Sequence, residues 1–155
     1  MNDNLIEAKA TAVAICTTIC AFLGWKGIMA LVWVIAMGLD YISGTAAACR
    51  AGEWNSTTAR DGLWHKGGMI LVVTVAGIAD GVMAVICENI PVLGIAWPGI
   101  ILPLVLAWYI LTEMGSILEN AVKLGADVPE WLVRILKVSL KAVDAVADQN
   151  DNNPE

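Results

Sequence analysis

Three carboxylic acids stand where acids are costly. Asp40 interrupts the apolar stretch from Gly27 to Cys49, Asp80 interrupts Gly67 to Cys87, and Glu113 follows the uncharged run from Asn89 to Thr112. At bilayer depth a charged side chain costs about 2.5–3.5 kcal/mol on insertion scales, so each acid should face a partner, the bundle interior or water. Such groups can make a polar seam between helices, line an aqueous path, hold subunits together until one opens, or relay protons or cations. Asp80 lies within Gly77-Ile-Ala-Asp-Gly81, a GxxxG frame that lets another helix approach closely. Ser43/Ala47 and Gly44/Ala48 form small-xxx-small pairs just after Asp40.

Other chemistries find little support. Neither Gly-Leu-Asp40-Tyr41 nor Ala-Asp80-Gly81 reproduces the paired motifs of intramembrane aspartyl proteases, and the chain is too small for their scaffold. No P-loop, HExxH or GxSxG is present, and the single His65 beside Lys66 reads as a solvated loop group. Cys16, Cys20, Cys49 and Cys87 lie in or at the end of apolar stretches, where cysteine behaves as a small hydrophobe, so no metal site or disulfide framework is expected. The chain reads as a non-enzyme that needs no cofactor.

The elements that must position these acids follow from composition. Of 155 residues, 58% are hydrophobic and 15% charged, with mean hydropathy +0.70. Soluble domains average roughly 45–50% and 25%. So few charges could hardly cover a soluble globule, and a small polytopic membrane protein is expected. Net charge is −6, which argues against nucleic acid as a partner. A spanning helix needs about 20 apolar residues, and backbone groups inside lipid must be satisfied within the helix. The expected fold is therefore all-α: three to four transmembrane helices, with spans near 8–25, 27–49, 67–87 and 96–118, the first shorter and weaker. Its acidic leading residues do not suit a signal peptide, which needs a basic start.

With four spans and both termini cytoplasmic, eight of the nine Lys and Arg fall on the cytoplasmic side and only Lys26 lies outside. Leaving the first segment uninserted moves Lys9 out as well. Trp25, Trp54, Trp64, Trp97 and Trp131 fall near span ends, as an aromatic belt does. Pro98 can open the last span and Pro103 is expected to kink it.

Beyond Gly125, a helix stop, Asp127-Val-Pro-Glu130 has the form of a capping box. An amphipathic cytoplasmic helix is expected over 127–147. Its polar stripe is Glu130, Arg134, Lys137, Lys141, Asp144 and Asp148, and it would pack on the bundle, on a neighbouring copy or on the membrane surface. Residues 148–155 read as a disordered acidic tail.

Leu39-Asp-Tyr-Ile-Ser-Gly44, then Ala46-Ala-Ala48, Ser56, Gly62, Lys66 and Asp80, resembles the phage holin family of the toxin-secretion type. Glu113-Met-Gly-Ser-Ile-Leu-Glu-Asn120, with Gly125 and Pro129, is similar to that family's second block, so the resemblance covers about residues 24–140. It implies a chain that accumulates in the bacterial cytoplasmic membrane, self-associates and opens lesions that release an endolysin or a toxin. The implied partners are a second copy of the chain, the lipid bilayer, the released cargo and, as an open alternative, an antiholin. Asp40, Tyr41, Asp80, Glu113, Glu119 and Asn120 match family positions and, with Gly44, Gly77 and Gly81, are the expected pore-lining or oligomerisation residues. The acidic tail and the fourth span depart from the family pattern. A different class stays open: a small ion- or proton-conducting channel or transporter component using the same carboxylates.

Overall fold

The computed structural model describes the backbone of residues 2–90, 92 and 94–149, with side chains undescribed at 2–4, 19, 20, 22, 23 and 147–149. Within them lie five helices: α1 (Asn2–Leu23), α2 (Trp25–Ala51), α3 (Ser56–Asn89), α4 (Ile101–Lys123) and α5 (Glu130–Gln149), with no strand among the described residues. The chain is all-α, and α2, α3 and α4 are long and apolar enough to cross a membrane. α1 is not among those three.

The three spanning helices share one pattern. In α2, Lys26, Ala30, Trp33, Met37, Asp40, Gly44 and Ala47 recur at alternating spacings of four and three, and all are buried or half-buried. The same holds in α3 for Lys66, Met69, Val73, Ala76, Asp80, Met83 and Cys87, and in α4 for Leu102, Leu106, Tyr109, Glu113, Ser116 and Asn120. A period near 3.5 keeps one seam of a helix on its neighbour along its whole length. α4 is the centre: α2 packs along it extensively, α3 less so, and α2 and α3 barely touch each other. Trp33, Met37, Met69 and Leu106 make the apolar core, with Trp33 stacked on Tyr109 at 6.0 Å between ring centres. The outward faces remain apolar and exposed, as at Leu71, Val75 and Ile78.

Several boundaries differ from expectation, each for a local reason. Asn55 caps α3 by accepting a 2.8 Å hydrogen bond from the Thr57 N–H. Residues 56–66 are therefore helical, and Lys66 belongs to α3, not to a loop. At 34 residues α3 is about 51 Å long, well beyond the ~30 Å hydrocarbon layer. α4 begins at Ile101, five residues later than expected. Pro103 then falls in its first turn, where the missing N–H has no intrahelical partner to lose, so the expected kink has no cause.

α4 closes with Gly125 at φ +88°, where hydrogen bonds from Gly125 N to Val122 O and Ala126 N to Ala121 O satisfy the last carbonyls. α5 starts at Glu130, so Asp127 stands too far ahead to cap it. Among the described residues it packs on α4, burying Leu136. From Glu130 to Asp144 the polar stripe occupies a second, exposed side, and Trp131, Ile135, Val138 and Val146 form an exposed apolar third. α5 runs two residues past its expected end at 147; positions 150–155 of the expected acidic tail lie outside the described residues.

Candidate functional site

Two polar clusters interrupt the apolar seams, one toward each end of the bundle. At the end where α2 turns into α3, Lys66 reaches across to both other spanning helices. Its Nζ donates to Asp40 Oδ2 at 2.9 Å and to the two Glu113 oxygens at 2.8 and 2.7 Å. An ammonium has three donors, and here all three meet carboxylate oxygens. Asn120 extends the network: its Nδ2 donates to Asp40 Oδ1 and to Ser43 Oγ, each at 3.1 Å. Only 5% of the Glu113 side chain and 13% of that of Lys66 are exposed, against 20% for Asp40. One base thus serves two acids, which leaves the cluster one negative charge in excess when both are ionised.

A cleft of about 660 Å³ opens onto this cluster, lined by Asp40, Glu113 and Asn120 and by Tyr41, Glu119 and His65 at its rim. The last three are exposed. Gly44 lets Asn120 come close: a Cβ there would sit 3.4 Å from Asn120 Nδ2.

The cluster at the α3–α4 end has a different logic. α4 starts without a capping side chain of its own. Asp80, from α3, supplies one: Oδ1 accepts from Ile101 N at 3.0 Å and Oδ2 from Leu102 N at 3.0 Å. Two orphan N–H groups are thereby satisfied, and the charge sits against the positive end of the helix dipole. Trp97 Nε1 donates to Oδ1 at 3.0 Å, and Lys26 Nζ from α2 lies 3.7 Å from Oδ2. Gly99, at φ +68°, closes the arrangement, because a Cβ there would run into the Lys26 ammonium. Here one base meets one acid, and the pair is neutral.

The expected residues therefore separate. Asp40, Gly44, Glu113 and Asn120 come together, with Tyr41 and Glu119 on the cleft beside them. Asp80 stands apart at the other end. Gly77 approaches α4, where an added Cβ would lie 3.9 Å from Leu102, whereas Gly81 is exposed with open space around it, so the GxxxG frame is only half used within the chain. Sequence reasoning missed Lys66 as a cluster residue, Lys26 as the partner of Asp80, and Trp97 and Gly99 around it. The available signal was spacing: each lysine precedes an intramembrane aspartate by fourteen residues, four helical turns on one face. Among the described residues no group of three His, Cys, Asp or Glu is placed to hold a metal ion.

The sequence profile of the bacteriophage holin family matches residues 17–141, most of the chain and both polar clusters. The chain belongs to the bacteriophage holin family. This is not an enzyme family, and family membership together with three apolar helices of spanning length makes the chain a membrane protein. Two uncharacterized proteins of Clostridium perfringens are similar to this holin-family chain. They are 34% and 33% identical over 99 residues, 64% of this chain and 65% and 67% of their own lengths. An uncharacterized protein of Halalkalibacterium halodurans is 26% identical over 114 residues, 74% of this chain and 78% of its own. The chain thus spans just under two thirds of the first of these relatives. No solved structure matches.

Proposed function

We propose that this holin-family chain self-assembles in the bacterial cytoplasmic membrane and opens pores or lesions that release an endolysin or a toxin. One observation carries the reading. α2, α3 and α4 leave long apolar faces uncovered on the outside while holding Asp40, Lys66, Glu113 and Asn120 on the inside, beside an open cleft. The outer faces suit lipid and further copies of the chain; the polar seam suits the wall of an aqueous opening once helices rearrange.

The α2–α3 end is proposed to be cytoplasmic. Arg50, Arg60, Lys66, Lys123, Arg134, Lys137 and Lys141 then face inward whether or not α1 inserts, as the positive-inside rule favours. Insertion of α1 adds Lys9 to them and places both termini in the cytoplasm. The exposed Trp131 stripe of α5 would lie at the inner membrane surface. Contact with an antiholin belongs to the same proposal and has no residue assigned to it.

The test is controlled expression in a bacterial host, following membrane potential and escape of a cytoplasmic protein. An abrupt loss of potential accompanied by protein release is expected. Retention of both through prolonged accumulation would overturn the proposal. A second reading, a small ion or proton channel, draws on the carboxylate pair at the cleft. It predicts steady, ion-selective conductance in reconstituted bilayers, where lesions give large unselective steps.

A further inference from the structure

The lysine-to-aspartate spacing is part of a longer correspondence. Residues 26–40 read KGIMALVWVIAMGLD and residues 66–80 read KGGMILVVTVAGIAD. At an offset of forty, seven of the fifteen positions are identical: Lys26/Lys66, Gly27/Gly67, Met29/Met69, Leu31/Leu71, Val32/Val72, Ala36/Ala76 and Asp40/Asp80. The two segments lie in α2 and α3, which follow one another across the membrane and so run in opposite directions. Inverted repeats of this kind have a two-fold axis in the membrane plane, and under such an axis the first residue of one copy meets the last residue of the other. That is what the ion pairs do. Lys66 meets Asp40 at 2.9 Å at one end, and Lys26 meets Asp80 at 3.7 Å at the other. Ala36 and Ala76, also equivalent, are both buried, 6% and 4% exposed.

We propose that α2 and α3 are inverted copies of one helix and that their reciprocal ion pairs form a two-ended latch around α4. α2 and α3 have little direct contact, so the pairs at their ends are what ties them to each other across the helix between them. Each lysine neutralises an acid that apolar surroundings would otherwise penalise, so neither helix can leave α4 without stranding a charge in lipid. The latch holds the single-chain bundle together, and its release precedes the rearrangement that lines a lesion. This last step rests on the holin reading; the latch itself does not.

The test uses the full chain with its four native cysteines replaced and spin labels at Ile35 and Val75, an equivalent and exposed pair on the two repeats. Asp40→Asn/Lys66→Met/Glu113→Gln removes one end of the latch without leaving a bare charge. Lys26→Met/Asp80→Asn removes the charges of the other. In membranes, the label-to-label distances are expected to broaden and lengthen in either variant, and the onset of lysis in the host to come earlier than in the parent chain. Parent-like distances in the variants that accumulate overturn the latch, whatever happens to lysis. Broadened distances in a chain that never lyses its host uphold the latch and overturn the holin reading. If one variant fails to insert, the distances in the other decide for or against the latch. Failure of both overturns the proposal, since these replacements only lower the cost of insertion.

Discussion

The two ends of the bundle solve the same problem in opposite ways. At the α3–α4 end, Asp80 receives two helical N–H groups, an indole and an ammonium, and one positive charge answers one negative. At the α2–α3 end, Lys66 is shared between Asp40 and Glu113 beside a cleft, so one acid is under-compensated when both are ionised. A carboxylate held by three hydrogen bonds with an ammonium nearby fixes a helix terminus. One that competes for a shared ammonium beside an open cleft is the kind of group that can change partners. The first end reads as architecture and the second as the place where the assembly can respond.

The largest expected effect follows from breaking the shared base. Lys66→Met leaves Asp40 and Glu113 facing each other with no cation, a change that costs about 3–5 kcal/mol when one partner of a buried pair is removed. The expected outcome is a clear loss of thermal stability and of accumulation in the membrane, read by helical ellipticity on heating. Restoring charge balance with Asp40→Asn and Glu113→Gln on top should recover helix content and accumulation, which the bare charges cost, but not the tie between α2 and α3. If Lys66→Met alone is as stable as the parent, the shared lysine is not what balances the two acids.

Asp80→Asn should cost less, about 1–2 kcal/mol, because the amide oxygen keeps one of the two helical N–H groups of α4, while the other N–H loses its acceptor and the attraction of Lys26 and the dipole is lost. Its signature is local: faster amide exchange at Ile101 and Leu102, with the Asp40 cluster unchanged. Exchange that rises equally at both ends would erase the distinction between them.

Gly99→Ala tests the same end without touching a charge. A left-handed backbone costs an L-residue about 1–2 kcal/mol, and the new methyl displaces Lys26. It should mimic a weakened form of Asp80→Asn. The smallest change is Gly81→Ala, where nothing lies within 4 Å; it should fall within about 0.5 kcal/mol of the parent in the isolated chain. A lysis defect from that change without loss of stability would place Gly81 at a contact between copies.

Which parts of this arrangement were legible in the sequence follows from what each depends on. Helix content and spanning segments depend on apolar length, and α2, α3 and α4 were visible on that ground. Asp40 and Glu113 were visible as acids out of place in apolar runs, and Asn120 only through the resemblance to the holin family. Lys66 was not, because a base at the edge of an apolar run looks like the start of a loop; its role emerges only when α3 extends back to Ser56 and brings it level with Asp40. Asp80 was visible as a residue but not as a cap, since the helix it caps begins twenty-one residues later in the chain. Pro103 misled for the complementary reason: its effect depends on where α4 starts, which is set by Asp80 from another helix and not by the residues around the proline.

Self-assembly is the claim on which the holin role depends most directly, and imaging of the detergent-extracted chain after size-exclusion chromatography tests it in one step. A ring or another large homo-oligomer is the predicted result. A stable monomer or dimer, with its apolar outer faces covered by detergent alone, would contradict it.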